Sequence, residues 1–389
     1  MPLASDCFES LTRRSFLQAS AVLSFAALPE LAFGAEAGDT RLLVILLRGG
    51  IDGLTAMPPI GDPGLKGKRK HLLPDGLLKL DGFFALHPAF QQIHDAYQSN
   101  QALLVHGISF PYTGRSHFEG QDIMETGVLN PFSSRTGWLG RALDVSGQRS
   151  IGMALPVPLI LRGKNPADSQ YPTWISNPPD SIYQKLAPLW AADPDTAPYS
   201  AQLATKVAAG LGEDATMDIG ITVDLRVLAL QAARKLAKPD GPRVAVIDDV
   251  GFDTHAQETE LLVPKMQEVD QAIGIFRNGV GEDVWKKTLV VTVTEFGRTA
   301  AENGSFGTDH GWGSCAFVVG GALKKGGIVA DWPGLTLANL YEGRDLKATI
   351  DARSLYAAIV TAALGVDPDL VQKDVLEHPK DDRFAPFLA

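Results

Sequence analysis

The sequence predicts an α/β fold: a doubly wound, mostly parallel central sheet with helices on both faces and an irregular insertion lobe. Three observations carry this expectation. Short apolar runs at residues 41–47, 243–247 and 288–293 do not alternate with polar residues, as expected of strands buried on both faces. Helical patterns, such as 257–276 and 352–364, stand between or beyond them and give the strand-helix-strand order of a parallel sheet. Polar clusters follow the runs directly, where an open α/β sheet holds its ligands.

Composition agrees. The chain has 389 residues, 45% hydrophobic and 21% charged, an ordinary balance for one large domain with a lobe inserted. Its formal net charge of -10 argues against a nucleic-acid or anionic-membrane partner.

Residues 1–37 are set apart as a signal peptide. Thr12-Arg13-Arg14-Ser15-Phe16-Leu17 precedes the apolar segment 19–28 and resembles a twin-arginine export signal. That segment is too short to span a bilayer. Small-residue cleavage sites follow at Ala32-Phe33-Gly34 or Ala35-Glu36-Ala37. The expectation is a periplasmic or otherwise exported protein, with the twin-arginine translocase as partner during export and no stable membrane span in the mature form. An uncleaved or amphipathic N-terminal helix is the alternative. With Cys7 in the signal, Cys315 is the only cysteine left, so no intramolecular disulfide forms; opening an apolar strand, it reads as core.

The first strand, 41–47, ends in Arg48-Gly49-Gly50-Ile51-Asp52-Gly53, which places Asp52 at a carboxyl end. A Pro-, Gly- and Lys-rich excursion over 57–80 leads to a helix at 89–99 and a strand at 101–106. His71, His87 and His94 read as structural or surface groups, and His106 as core. A helix over 118–126 puts Ser116 at or beside its N-cap, where free N–H groups favour an anion; Ser116 with Glu119 also fits a capping box. Residues 131–240 break the pattern with Pro- and Ser-rich parts at 155–158 and 177–199, and read as a cap or insertion before a helix at 221–236. The strand 243–247 leads to Asp253 and His255, and the strand 288–293 to the glycine-rich loop 294–313 with Glu295, Arg298, Asp309 and His310. A second apolar run, 315–319, follows.

If these strands are parallel neighbours, Asp52, Ser116 with His117, Asp253 with His255, and Glu295, Asp309 and His310 converge on one rim. Carboxylates with imidazoles suit one or two divalent metals: Zn²⁺ or Mn²⁺ for the mixed set, Mg²⁺ or Ca²⁺ for carboxylates alone. Two metals about 4 Å apart would clamp a tetrahedral ester. Ser116 offers a hydroxyl nucleophile, and Arg48, Arg115 or, first by neighbourhood, Arg298 offers a planar fork for anionic oxygens. Each group has a plainer reading: Asp52 as a turn residue, Asp253-Thr254 as a helix cap, His117 as a partner behind a ligand.

Leu47-Arg48-Gly49-Gly50-Ile51-Asp52-Gly53, Ser116-His117-Phe118-Glu119, Gly251-Phe252-Asp253-Thr254-His255, Thr294-Glu295-Phe296-Gly297-Arg298-Thr299 and Gly307-Thr308-Asp309-His310-Gly311 together resemble the DUF1501 family, exported bacterial proteins similar to the alkaline phosphatase and sulfatase superfamily. The resemblance runs from about Arg41 to the C-terminus and implies an alkaline phosphatase-like domain over 38–389 with the cap at about 131–240. It implies metal ligands at Asp52, Asp253, His255, Glu295 and His310, with Ser116 as nucleophile. Where the superfamily has an Asp-His pair this chain has Glu295-Phe296; Asp309 is the candidate to fill that vacancy. The function implied is hydrolysis of anionic phosphate or sulfate esters by a metal-activated serine or hydroxide, with His117 and Arg298 assisting. The alternative is a non-catalytic binding or assembly protein with a degenerate site. A metal-dependent isomerase or transferase of phosphorylated compounds is a third reading, disfavoured by export.

Overall fold

A computed structural model of the chain describes residues 39–171, 185, 188–192, 197, 224–378 and 381–388. The segment 1–37, expected to be a signal, lies outside them, as does most of the Pro- and Ser-rich stretch 177–199.

β1 (Arg41–Arg48) is the keel. Side chains of a strand point alternately to the two faces. Here Leu42, Val44 and Leu46 enter one core while Leu43, Ile45 and Leu47 enter the other. All six are at most 1% exposed, which explains why the run carries no polar alternation. Each such side chain contributes about 1.5–3 kcal/mol by leaving water.

A two-stranded ribbon, β2 (Leu78–Lys79) and β3 (Ala85–Leu86), lies in the early excursion. The main sheet adds β4 (Ala102–Ser109), β5 (Ser150–Gly152), β6 (Asp168–Ser169), β7 (Val244–Val250), β8 (Thr288–Val293), β9 (Ser314–Val319), β10 (Gly327–Ala330) and β11 (Ile350–Asp351). These nine strands run in the order β10-β4-β9-β8-β1-β7-β5-β6, with β11 also on β4. β1 pairs in parallel with both β7 and β8, so the sequence expectation of a parallel centre holds. β9 is the exception, antiparallel to both β4 and β8. Its reversal returns the loop 294–313 to the edge it left, and keeps the ends of β1, β4, β7 and β8 on one rim.

Among the described residues, six longer helices cover the faces: α1 (Gln91–Gln98), α2 (His117–Thr126), α3 (Trp138–Ser146), α4 (Leu225–Leu236), α5 (Glu258–Val280) and α6 (Ala352–Leu364). One core takes Ile123, Trp138, Leu355 and Tyr356 from α2, α3 and α6. The other takes Ile93, Leu228, Met266 and Phe276 from α1, α4 and α5. The stretch 131–240 therefore divides. α3, β5, β6 and α4 build the main body rather than a cap, while residues 198–223 lie outside the described part. No described helix is long and apolar enough to cross a membrane.

Candidate metal centre

Four chain exits from the rim build the site. β1 leaves through Gly49, whose φ of +120° and whose approach to the Asp253 main-chain nitrogen, 2.5 Å from where a Cβ would stand, exclude a side chain. That contact lets the segment after β7 lie against the β1 exit. The segment after β8 is a folded hairpin rather than an open loop: Gly297 and Thr299 N–H donate to Trp312 and Asp309 carbonyls at 2.8 and 2.9 Å. Gly307 passes against the His255 main chain where a Cβ would strike. His310 is thereby brought beside both His255 and His117, the first residue of α2.

Three imidazoles meet there. His117 Nε2 and His310 Nε2 are 2.9 Å apart, and His310 Nε2 and His255 Nε2 are 3.0 Å apart. Asp253 reaches the same place, Oδ1 at 3.1 Å from His310 Nε2 and 2.9 Å from His255 Nε2, and Oδ2 at 3.3 Å from His117 Nε2. Ligand atoms of His117, Asp253 and His310 lie within 4.8 Å of one another.

What stands behind each ring fixes its tautomer. His117 Nδ1 is 2.9 Å from Glu295 Oε1, His255 Nδ1 is 3.1 Å from Asp309 Oδ1, and His310 Nδ1 is 2.9 Å from the Arg115 carbonyl. All three partners accept when the acids are ionised, so each Nδ1 holds the proton and each neutral ring turns an Nε2 lone pair inward. Lone pairs about 3 Å apart repel unless a cation lies among them. A single proton would serve only one such contact, whereas a metal ion can take His117, His310 and Asp253 together. An acceptor behind each histidine is also how metal-ligating rings are held. The donor set therefore fits a divalent ion.

The charges agree. Burial pushes Glu295 up, but the His117, Gln121 and Gly49 hydrogen bonds hold it below its ordinary range as a carboxylate. The Glu295 hydrogen bond in turn raises His117, while burial lowers His310. Burial raises Asp253 too, outweighed by Arg298 and then His117 and His255, so it stays ionised. The His255 hydrogen bond lowers Asp309.

Not every residue that the sequence singles out reaches the cluster. Glu295 is fully buried and accepts from His117, Gly49 N at 2.8 Å, Gln121 at 3.0 Å and Thr294 at 3.2 Å; it stands behind the His117 ring, not among the atoms that meet in the cluster. Asp309 does the same for His255, so neither acid fills the Asp-His vacancy. His117, expected to assist catalysis, brings its Nε2 into the group with Asp253 and His310 that could hold an ion. Asp52 is not brought to the cluster. It accepts from Arg69 at 2.8 Å, Thr55 at 2.6 Å and Leu54 N at 3.1 Å, all in a buried pocket. Arg298 is 1% exposed, and its donors go to Asp253 at 2.6 Å, Thr308 and the Gly49 carbonyl; it anchors Asp253 instead of facing a substrate. Arg48 pairs with Asp248 and Glu125, and Arg115 with Asp345 and Glu342.

Ser116 is the N-cap of α2, next to His117, with extended backbone and no side-chain capping bond. The capping box is absent, since Glu119 accepts from the Tyr112 hydroxyl at 2.6 Å. His71, His87, His94 and His106 stay outside the cluster. His106 is buried, its Nε2 donating to the Gly53 carbonyl and its Nδ1 accepting from Gly107 N. Burial pushes the Cys315 thiol far up, as suits a core residue. Sequence reasoning missed Arg69, Glu258 and Arg344. The first two carry no motif, and Arg344 lies 34 residues beyond His310 in a segment without strand or helix pattern.

No curated protein matches the chain. Among solved structures, Ps i-CgsB is similar at 12% identity and TM-score 0.40, over 87% of this chain and 77% of that one. The PsFucS1 sulfatase from Pseudoalteromonas sp. is similar at 12% and 0.38, over 92% and 73%. Alkaline phosphatase from the Antarctic bacterium TAB5 is similar at 12% and 0.38, over 75% and 94%. At such scores the likenesses fix no residue correspondence. Residues 215–373, which supply Asp253, His255 and His310, are matched by the family described as "Protein of unknown function (DUF1501)".

Proposed function

We propose that this protein is a metal-dependent hydrolase of phosphate or sulfate esters, directed to export by residues 1–37. The observation that carries the reading is the convergence of His117 Nε2, His310 Nε2 and the Asp253 carboxylate, with His255 Nε2 beside His310 and Asp253 and each ring held from behind by an acceptor. Two imidazole nitrogens and a carboxylate, with a third imidazole adjacent, suit Zn²⁺ or Mn²⁺ better than Mg²⁺ or Ca²⁺. One ion is expected, because Asp52, the remaining acid of the sequence pattern, is neutralised by Arg69. Such an ion supplies Lewis acidity that polarises an anionic ester and acidifies a neighbouring hydroxyl or water. The chain's own residues hold the geometry: Glu295, Asp309 and the Arg115 carbonyl fix the rings, and Arg298 fixes Asp253. Ser116 stands beside His117 as the candidate nucleophile. The binding of Arg48, Arg115 and Arg298 by acids favours the second reading, a metal-binding protein without turnover.

Metal analysis of protein purified with its signal intact tests this first, with about one Zn or Mn per chain expected. No stoichiometric metal, and none taken up on titration, would end the hydrolase reading. Assay against phosphate monoesters, diesters and sulfate esters then separates enzyme from binding protein. Ser116→Ala is expected to abolish turnover at unchanged metal content; full activity would assign the attack to water.

A further inference from the structure

Resting on the metal-site reading above, we propose that Arg344 is the residue that recognises the anionic group of the substrate. An anion beside the imidazole cluster needs a cation with a free, exposed face. Arg48, Arg115 and Arg298 do not provide one: their side chains are 16%, 24% and 0% exposed and each is bound by acids. Arg344 differs in its exposure and in having an edge to spare. Its side chain is 42% exposed.

Its anchoring places it against the main chain of His310. Nη2 donates to the main-chain carbonyl of His310, the histidine in the middle of the cluster, and Nε lies 3.2 Å from Asp345 Oδ1. Asp345 itself is fully buried and also binds Arg115, whose carbonyl accepts from His310 Nδ1. The guanidinium is thus held by one hydrogen bond at Nη2 and one ion-pair contact at Nε, with Nη1 free of any hydrogen bond within the described residues. A planar fork pre-set in this way suits two oxygens of a tetrahedral oxyanion. Phosphate and sulfate share that chemistry.

Inorganic phosphate and inorganic sulfate, titrated calorimetrically into the metal-loaded full chain, are the probes. Arg344→Gln is expected to weaken their binding at least about tenfold, as loss of one charge-assisted contact does, with metal content unchanged. Arg344→Lys is expected to fall between the two. With a turned-over ester, KM should rise more than kcat falls. Which anion loses more affinity tells which ester class the edge is set for. Equal anion affinity in parent and Arg344→Gln, or no anion binding by the metal-loaded parent, overturns the assignment of Arg344. Absence of metal in the parent overturns the underlying site reading instead, so the two failures are distinguishable. Should Arg344→Gln fail to fold, as read by circular dichroism, Arg344→Lys alone decides: unchanged anion affinity and unchanged KM refute the proposal.

Discussion

The decisive residues are the ones behind the ligands. Glu295 is legible in the sequence as an acid after a strand and as a departure from an Asp-His pair, but its role is not, because sequence position does not say which way a carboxylate faces. Buried and hydrogen-bonded to His117, Gly49, Gln121 and Thr294, it keeps the His117 proton on Nδ1. Glu295→Gln is expected to lower metal affinity about 10–100-fold, as loss of such a partner does, without loss of fold. Competition with a metallochromic chelator measures this; unchanged affinity would return Glu295 to a merely structural role. Asp52 gives the opposite prediction. It neutralises a buried guanidinium whose Nε and Nη1 have no partner. Asp52→Ala should keep the metal yet destabilise the protein by about 3–5 kcal/mol, since an unpaired buried charge remains. Urea unfolding beside metal analysis separates the two effects, and metal loss at full stability would make Asp52 a ligand after all.

At the scale of elements, strands buried on both faces are the easiest to read: β8 and α6 match their sequence expectations residue for residue, and β1 extends one residue further. Direction is not readable, because β9 is apolar whichever way it runs. Nor is the support of α1. Its N-cap, Phe90, has no side-chain acceptor, and the free N–H groups of Gln92 and Ile93 are taken at 3.0 Å by Asp270 of α5. Burial raises that carboxyl from 3.8 to about 6. Between about pH 4 and 6 the folded state therefore holds a proton that the unfolded state has lost, so this group's contribution to stability falls as pH rises through that window. Asp270→Asn removes one acceptor at every pH but does not ionise. Its stability deficit should be largest near pH 4 and shrink as pH rises to 7, by up to about 3 kcal/mol for a shift of this size. Denaturation curves across that range check the sign; a deficit that grows with pH would refute it.

Across the whole molecule, the convergence of polar clusters on one rim follows from strand order and is legible, while the choice among ligands depends on side-chain direction and is not. The centre's groups come from the ends of β4, β7 and β8, with 193 positions separating His117 from His310. In the unfolded chain these donors are far apart, so an ion binds the folded state almost alone. Linkage then makes metal a stabiliser, worth about 2.7 kcal/mol when free metal is about a hundredfold above Kd. For a chain of this size that corresponds to a rise in Tm of a few degrees. The rise should disappear on chelation and return with Zn²⁺ or Mn²⁺. Asp253→Asn, which removes the one carboxylate touching all three rings, should show a much smaller response at the same metal concentration. Asp309→Asn, altered only behind His255, should respond in between, because the ligand atoms remain while one ring loses its charged partner. The ordering parent, Asp309→Asn, Asp253→Asn in scanning calorimetry is the signature of a site assembled across three loops. Equal shifts in all three proteins would mean that the ion stabilises the fold from somewhere else.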